Sequence, residues 1–241
     1  MLKNAKPTVQ VASNSAPLGA ATSLTNGTVP IFAFKVTAGS SVGSEVLLYR
    51  TTFIITTSGD VTVNSLVLKN ENGDTVSATS GTLTEAANGY DGSFATFMWS
   101  TTFNNPDFDV TGATSYEALK VPAGSSKTYI LYATVGNASA GENLSTFLVG
   151  DTASTSHEVG TTNKAQVTIG GAVGFAVPGT TPANLVGGSL GGNFVWSDNY
   201  QKKSITGIDG TNVTSTAMWY NGHLVPGLLN AVTTTPYTIG F

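Results

Sequence analysis

The chain has 241 residues, no Cys, two His and a net charge of −4, and only 10% of its residues are charged, against about 25% in an average soluble domain. Such a chain has no Cys for a disulfide scaffold, no His or Cys cluster for a zinc centre and no Gly-x-Ser-x-Gly elbow for a Ser-His-Asp triad, so no enzyme is expected. It also lacks the Lys and Arg clusters that replace phosphate counterions on nucleic acid, and no apolar run reaches the roughly 20 residues of a membrane-spanning helix.

The remaining composition is suited to β-structure and self-association. Eleven Phe, eight Tyr and three Trp supply the material of a core. A surface with so few charges gives weak repulsion between copies. The opening MLKNAKPTVQVASNS carries Lys3 and Lys6 but no apolar stretch of a signal peptide. In an exported protein, Met1 need not then be the natural start.

Taken in chain order, the first element is a short alternating strand made of Pro7, Thr8, Val9, Gln10, Val11, Ala12 and Ser13. A stretch rich in Gly, Ala, Ser and Thr, ending at Pro30, separates it from the next strand and reads as a flexible tether. Residues 1–30 are therefore expected as a strand and tether. A detached strand of this kind can fold onto its own sheet or fill the edge of a neighbour's. Phe32, Phe34 and Val36 share one face of the next strand, opposite Ala33 and Lys35. Val46 to Ile55 is a long β-branched run. Val61 and Val63, then Leu66 and Leu68, come after the Ser58-Gly59-Asp60 turn. Asn72-Gly73 predicts a two-residue hairpin turn with both residues at positive φ. Val76 to Leu83 and Phe94 to Phe103 read as strands, and Ser115 to Lys120 as one helical turn at most. In Tyr129 to Val135 both alternating sets are fairly apolar, which predicts a strand in the middle of a sheet. Leu144 to Val149 and Ala165 to Ile169 complete a core spanning 31–170.

Residues 171–241 are a Gly-rich extension, too poor in apolar residues to fold apart from that core. Phe194 to Trp196, Met218 to Tyr220, His223 to Val225 and Tyr237 to Phe241 are its expected strands. Strands spaced by roughly 8–12 residues with turns between them predict an all-β fold, a β-sandwich of jelly-roll or immunoglobulin-like character.

Few residues carry chemistry. Asn104, Asn105, Asp107 and Asp109 offer the oxygens a Ca²⁺ loop needs, and Asp198, Asn199 and Asp209 form a sparser set. The same residues also suit Asx turns that cap backbone amides. No other cofactor is expected. Trp196 and Trp219 lie in Gly-rich surroundings and could stack on the sugars of cell-surface glycans if exposed, whereas Trp99 lies in an apolar run. Asn26, Asn137, Asn143 and Asn212 head N-glycosylation sequons. His157 and His223 stand alone. Lys35, in an aromatic strand, is the lysine best placed for a buried Lys–Asn crosslink.

The stretches FAFKVTAGSS from Phe32, FIITTSGDVTVNSLVLKNENGD from Phe53 and VPAGSSKTYILYATV from Val121 resemble a β-sandwich module of bacterial extracellular surface proteins. GNFVWSDN and WYNGHLV are similar to the C-terminal segments of long extracellular proteins of small uncultured bacteria. The resemblance implies a surface-layer, filament or adhesin component. With the composition, it predicts an extracellular, cell-surface subunit that polymerises with itself by strand addition. An adhesive carbohydrate-binding module and a viral jelly-roll protein are the alternatives.

Overall fold

Period-two patterning dominates the sequence, and β-structure is what the chain forms. The computed structural model describes residues 6–13, 15–41, 44–76, 84–85, 92–98, 120–150, 194–197, 205–206, 212–213, 219–220, 222, 224–228 and 236–241. Among these residues there are strands and turns but no helix, and the fold is all-β.

One antiparallel sheet contains β1 (Thr8–Val11), β2 (Gly27–Thr37), β4 (Thr62–Asn70) and β8 (Ser126–Gly136), in the spatial order β1-β2-β8-β4. The second sheet is built on β3 (Val46–Thr57). On one side of β3 lie β6 (Gly92–Met98), with β5 (Thr84–Glu85) beyond it, and β7 (Lys120–Val121). On the other side β9 (Asn143–Leu148) and β10 (Phe194–Ser197) succeed each other, backed by β14 (Tyr237–Gly240) and β13 (Trp219–Tyr220). Two short strands, β11 (Ile205–Thr206) and β12 (Asn212–Val213), pair apart from both sheets.

The sheets meet through aromatic rings. Phe32 and Phe34 on β2 pack against Phe53 on β3, with centroids 5.8 and 5.9 Å apart, and Phe34 stacks on Tyr129 of β8 at 5.3 Å. Tilted and edge contacts of this kind add to the stabilisation from area burial. All four rings are fully buried. Burial pushes the ionisation of the Tyr129 hydroxyl well above its ordinary value, and the nearby Glu71 carboxylate pushes the same way.

β8 is central, as its pattern predicts. Tyr129, Leu131, Ala133 and Val135 are buried, and the residues between them are half-buried or exposed. The break in phase between Val63 and Leu66 is a bulge. The β4–β8 register shifts between Asn64 and Val67, and Ser65 takes a φ of 50°. The extra residue returns Leu66 and Leu68 to the core face. A second bulge places Ile31 between Pro30 and Phe32, where a strand tolerates a proline that cannot donate. The Asn72-Gly73 turn differs from the expected form, because only Gly73 has positive φ (86°). Gly73 N–H donates to the Asn70 carbonyl and Asn70 N–H to the Asp74 carbonyl, while Asn70 Oδ1 accepts from the amides of Asn72 and Asp74. The connection is thus a three-residue loop with a Gly bulge. The Asn70 side chain fixes it by capping amides that the tighter turn would have paired.

Of the Gly-rich extension, β10, β14 and the segment 225–228 join this same core. Phe194, Trp196, Val225, Leu228, Tyr237 and Ile239 belong to one buried cluster with the residues of β2, β3 and β8. Leu224 and Val225, expected in a strand from His223, lie instead in a turn. Leu224 has a φ of 58° and Val225 N–H donates to the Gly222 carbonyl.

Two core threonines stand out. Thr146 lies between Ile55 and Tyr237 across the sheet, and Thr51 between Phe97 and Phe194. Both are fully buried, and neither hydroxyl has a hydrogen-bond partner. A buried hydroxyl without a partner costs about 1–3 kcal/mol. Thr146→Val is therefore expected to stabilise the chain by about 1–2 kcal/mol, read as a higher denaturation midpoint with an unchanged slope.

Candidate functional site

The N-terminal strand lies on its own sheet. β1 pairs antiparallel with β2 in the register Thr8↔Thr37, Val9↔Val36, Gln10↔Lys35 and Val11↔Phe34. Of the two arrangements open to a detached strand, this is the intramolecular one. Pro7, Ala12 and Ser13 flank the paired residues. Ala12 N–H donates to the Ala33 carbonyl at 2.8 Å. By strand alternation, Thr8 and Gln10 also bond towards β2, while the backbone groups of Val9 and Val11 point outwards.

The stretch expected as a loose tether is built into the fold. Ser13 and Ala16 exchange both backbone hydrogen bonds around a two-residue turn. Leu18 (φ 52°) and Gly19 (φ 96°) then bend over the outward face of the sheet, where a Cβ on Gly19 would lie 3.0 Å from Ile130 Cδ1. Ala12, Ala33 and Ile130 lie in register beneath this bend. That explains why two small residues on the outward face, Ala12 and Ala33, are buried. Past the bend the chain ties the two sheets together. Ala21 N–H donates to the Pro30 carbonyl of β2, its carbonyl accepts from Tyr237 Oη at 2.7 Å, and Leu24 N–H donates to the Gly240 carbonyl of β14. Leu24 and Ala20 are core residues. Composition hid all of this, because Ala, Ser and Gly spell a linker as readily as a close-packed crossing.

Among the described residues, the outward edge of β1 is held at one point. Val9 N–H donates at 2.8 Å to the carbonyl of Pro226, in the turn Val225–Leu228. Gly227, with a φ of 90°, lies so close that a Cβ there would collide with the Val9 carbonyl. Nothing in the sequence marked Pro226 and Gly227 as functional. Their only signal is a Pro-Gly pair beyond WYNGHLV.

The opposite end of the molecule is fixed by Glu142. Its Oε1 accepts from Asp60 N–H at 2.8 Å and its Oε2 from Ser139 N–H at 2.7 Å, while its backbone carbonyl accepts from Phe241 N–H. Gly59 (φ 64°) leaves room for the carboxylate, which a Cβ would strike. The hydrogen bond from Asp60, then that from Ser139, holds the Glu142 carboxyl below its ordinary range. A lowered native pKa adds stability that is complete above the ordinary value and is lost as pH falls through the native one. Melting curves taken from neutral to acidic pH are expected to fall over that window in the native chain. In Glu142→Gln they should fall less.

The other candidates separate. Trp196 is fully buried in the core, so it cannot stack on a sugar. Trp219 pairs with Ser197 in β13. Lys35 is half-buried on the face away from the aromatic core, not in the apolar site a crosslink needs. Asn26 is engaged: its side chain donates to the Ala138 carbonyl and accepts from the Ala138 amide, mimicking a strand. Asn137 is exposed at a φ of 59°, Asn143 begins β9, and Asn212 lies in β12. Asn104, Asn105, Asp107, Asp109, Asp198, Asn199, Asp209, His157, His223 and Trp99 lie outside the described residues, as do Ala165 to Ile169 and most of the expected strand at 76–83 and helical turn at 115–120. Among the described residues no three His, Asp or Glu gather as a metal site.

No family model and no curated protein matches the sequence. Among solved structures, the chain is similar to AvmM, which catalyses macrocyclization in alchivemycin A biosynthesis (TM-score 0.31, 12% identity, 60% of this chain and 73% of that one). It is also similar to the pilus backbone RrgB of Streptococcus pneumoniae (0.28, 10%, 61% and 52%) and to a chain called BspA_C_mut (0.23, 13%, 60% and 47%). The chain thus spans about half the length of the last two. None of the three likenesses bears on activity.

Proposed function

We propose that this chain is a structural subunit of an extracellular fibre or surface layer, joined to its neighbours when β1 leaves its own sheet and completes the same edge of the next copy. The observation that carries this reading is the placement of β1. It is a four-residue edge strand near the chain's start, and the two-residue turn Ser13–Ala16 comes directly after it. Exchange of identical elements between copies is a low-cost route to assembly, and short hinge loops favour it. Straightening residues 13–20 would carry β1 about 25 Å, at roughly 3.3 Å per residue, which reaches an adjoining molecule. The bonds between β1 and β2 would form again in the new place, while those within residues 13–20 would be given up, so the exchange is driven by concentration. Passed head to tail, it yields an open filament. The low charge supports such close contact between copies.

The absence of Cys makes the test clean. Gln10 and Lys35 are directly paired on the outward face, and opposed residues of such a pair have Cα atoms about 5.5 Å apart, within disulfide range. The variant Gln10→Cys/Lys35→Cys, oxidised at high concentration, is expected to give a ladder of covalent oligomers on a non-reducing gel. Internally bridged monomers at every concentration would refute strand exchange. Negative-stain images separate a filament from the closed shell of a viral jelly-roll protein.

A further inference from the structure

We infer that the turn Val225–Leu228 is a specificity element that reads the register of the strand on the edge of β2, and that the slot it closes binds one class of ligand, the extended segment 8–12 of a second copy. This deepens the strand-exchange reading and rests on it. The slot has two walls. β2 offers the ladder, and Pro226 offers a single carbonyl, 2.8 Å from Val9 N–H. That second wall is firm, because Val225 and Leu228 are anchored in the core and Leu228 N–H closes the turn onto the Val225 carbonyl.

Register is set by which residue faces Pro226. A slip by one residue turns every side chain to the other face of the sheet and aims the facing N–H at β2, leaving the Pro226 carbonyl unpaired. A slip by two residues in one direction brings Pro7 opposite Pro226, and proline has no N–H to donate. The opposite slip brings Val11 there and sets Ser13 where Val11 now packs against the core, burying a hydroxyl without a partner. Gly227 adds a steric limit. Its bare Cα accepts the Val9 carbonyl only when backbone, and no Cβ, lies opposite. Only the observed register satisfies all of these conditions.

The test uses the full chain and a labelled synthetic peptide of residues 6–17, incubated just below the melting temperature. A second peptide carries N-methylvaline at position 9, which removes only the N–H aimed at Pro226 and leaves the groups facing β2 intact. The native peptide is expected to enter the sheet, and the methylated one to enter at least about tenfold less. Gly227→Ala should cut entry of the native peptide by a similar factor, and should lower hydrogen-exchange protection at Val9 by about tenfold while Leu131 and Ala133 keep theirs. Equal entry of both peptides, or no entry of either, overturns the inference even if the disulfide ladder forms. Should Gly227→Ala fail to fold, the peptide pair on the native chain still decides. Discrimination between the peptides without any ladder keeps the slot and removes the polymer.

Discussion

Phe53→Ala is expected to cost about 3–5 kcal/mol, the range for removing a fully buried aromatic ring. Phe53 is the ring of the second sheet that meets both Phe32 and Phe34 of the first, so its loss opens a cavity at the point where the sheets touch. The surroundings cannot collapse to fill it, because β3, which carries Phe53, is paired along both sides, with β6 on one and β9 on the other. For a chain of this size the melting temperature should fall by roughly 6–20 °C. Phe53→Leu, which keeps much of the volume, should recover more than half of the loss. A drop of less than about 1 kcal/mol would mean that the two sheets do not pack through these rings.

Trp196→Ala should be as damaging, at about 3–5 kcal/mol. Trp196 is the largest of the fully buried side chains. It sits where β10 crosses a bulge, opposite Leu48, with Tyr49 as the extra residue of β3. Removing it should free β10 and with it β13, which pairs only through Trp196 and Ser197 among the described residues. The measurement is chemical denaturation monitored by the fluorescence of the remaining tryptophans. Soluble glycans should leave the emission of the native chain unchanged at Trp196, since a ring without exposed surface has no face to offer.

Much of this architecture is legible in single strands of sequence. The alternation through Tyr129, Leu131, Ala133 and Val135 gave both the strand and its central place. The slipped spacing from Val63 to Leu66 already held a bulge, though only the positive φ of Ser65 shows where the extra residue lies. Long-range closure was not legible. Ala12, Ala20 and Leu24 stand among Ser, Thr and Gly, and nothing in local pattern tells a buried crossing from a linker, because small residues suit both. The strand-like Leu224 and Val225 became a turn for a related reason: apolar content records that Val225 is buried, and not the backbone path that buries it. A detached first strand was visible, but not the edge it fills, whose second wall comes from Pro226 and Gly227, more than 180 residues beyond β2. Pairing over such distances leaves no periodic mark.

The stitch between the chain's early and late segments has a consequence for how the molecule is made. Tyr237 and Ala21, joined by a hydrogen bond, are 216 residues apart in sequence, and Leu24 depends on Gly240 in the same way. Contacts of such span are the slowest to form, because the loop they close must first lose its freedom. Residues 20–24 therefore stay incompletely locked until residues 237–240 have been made and have docked.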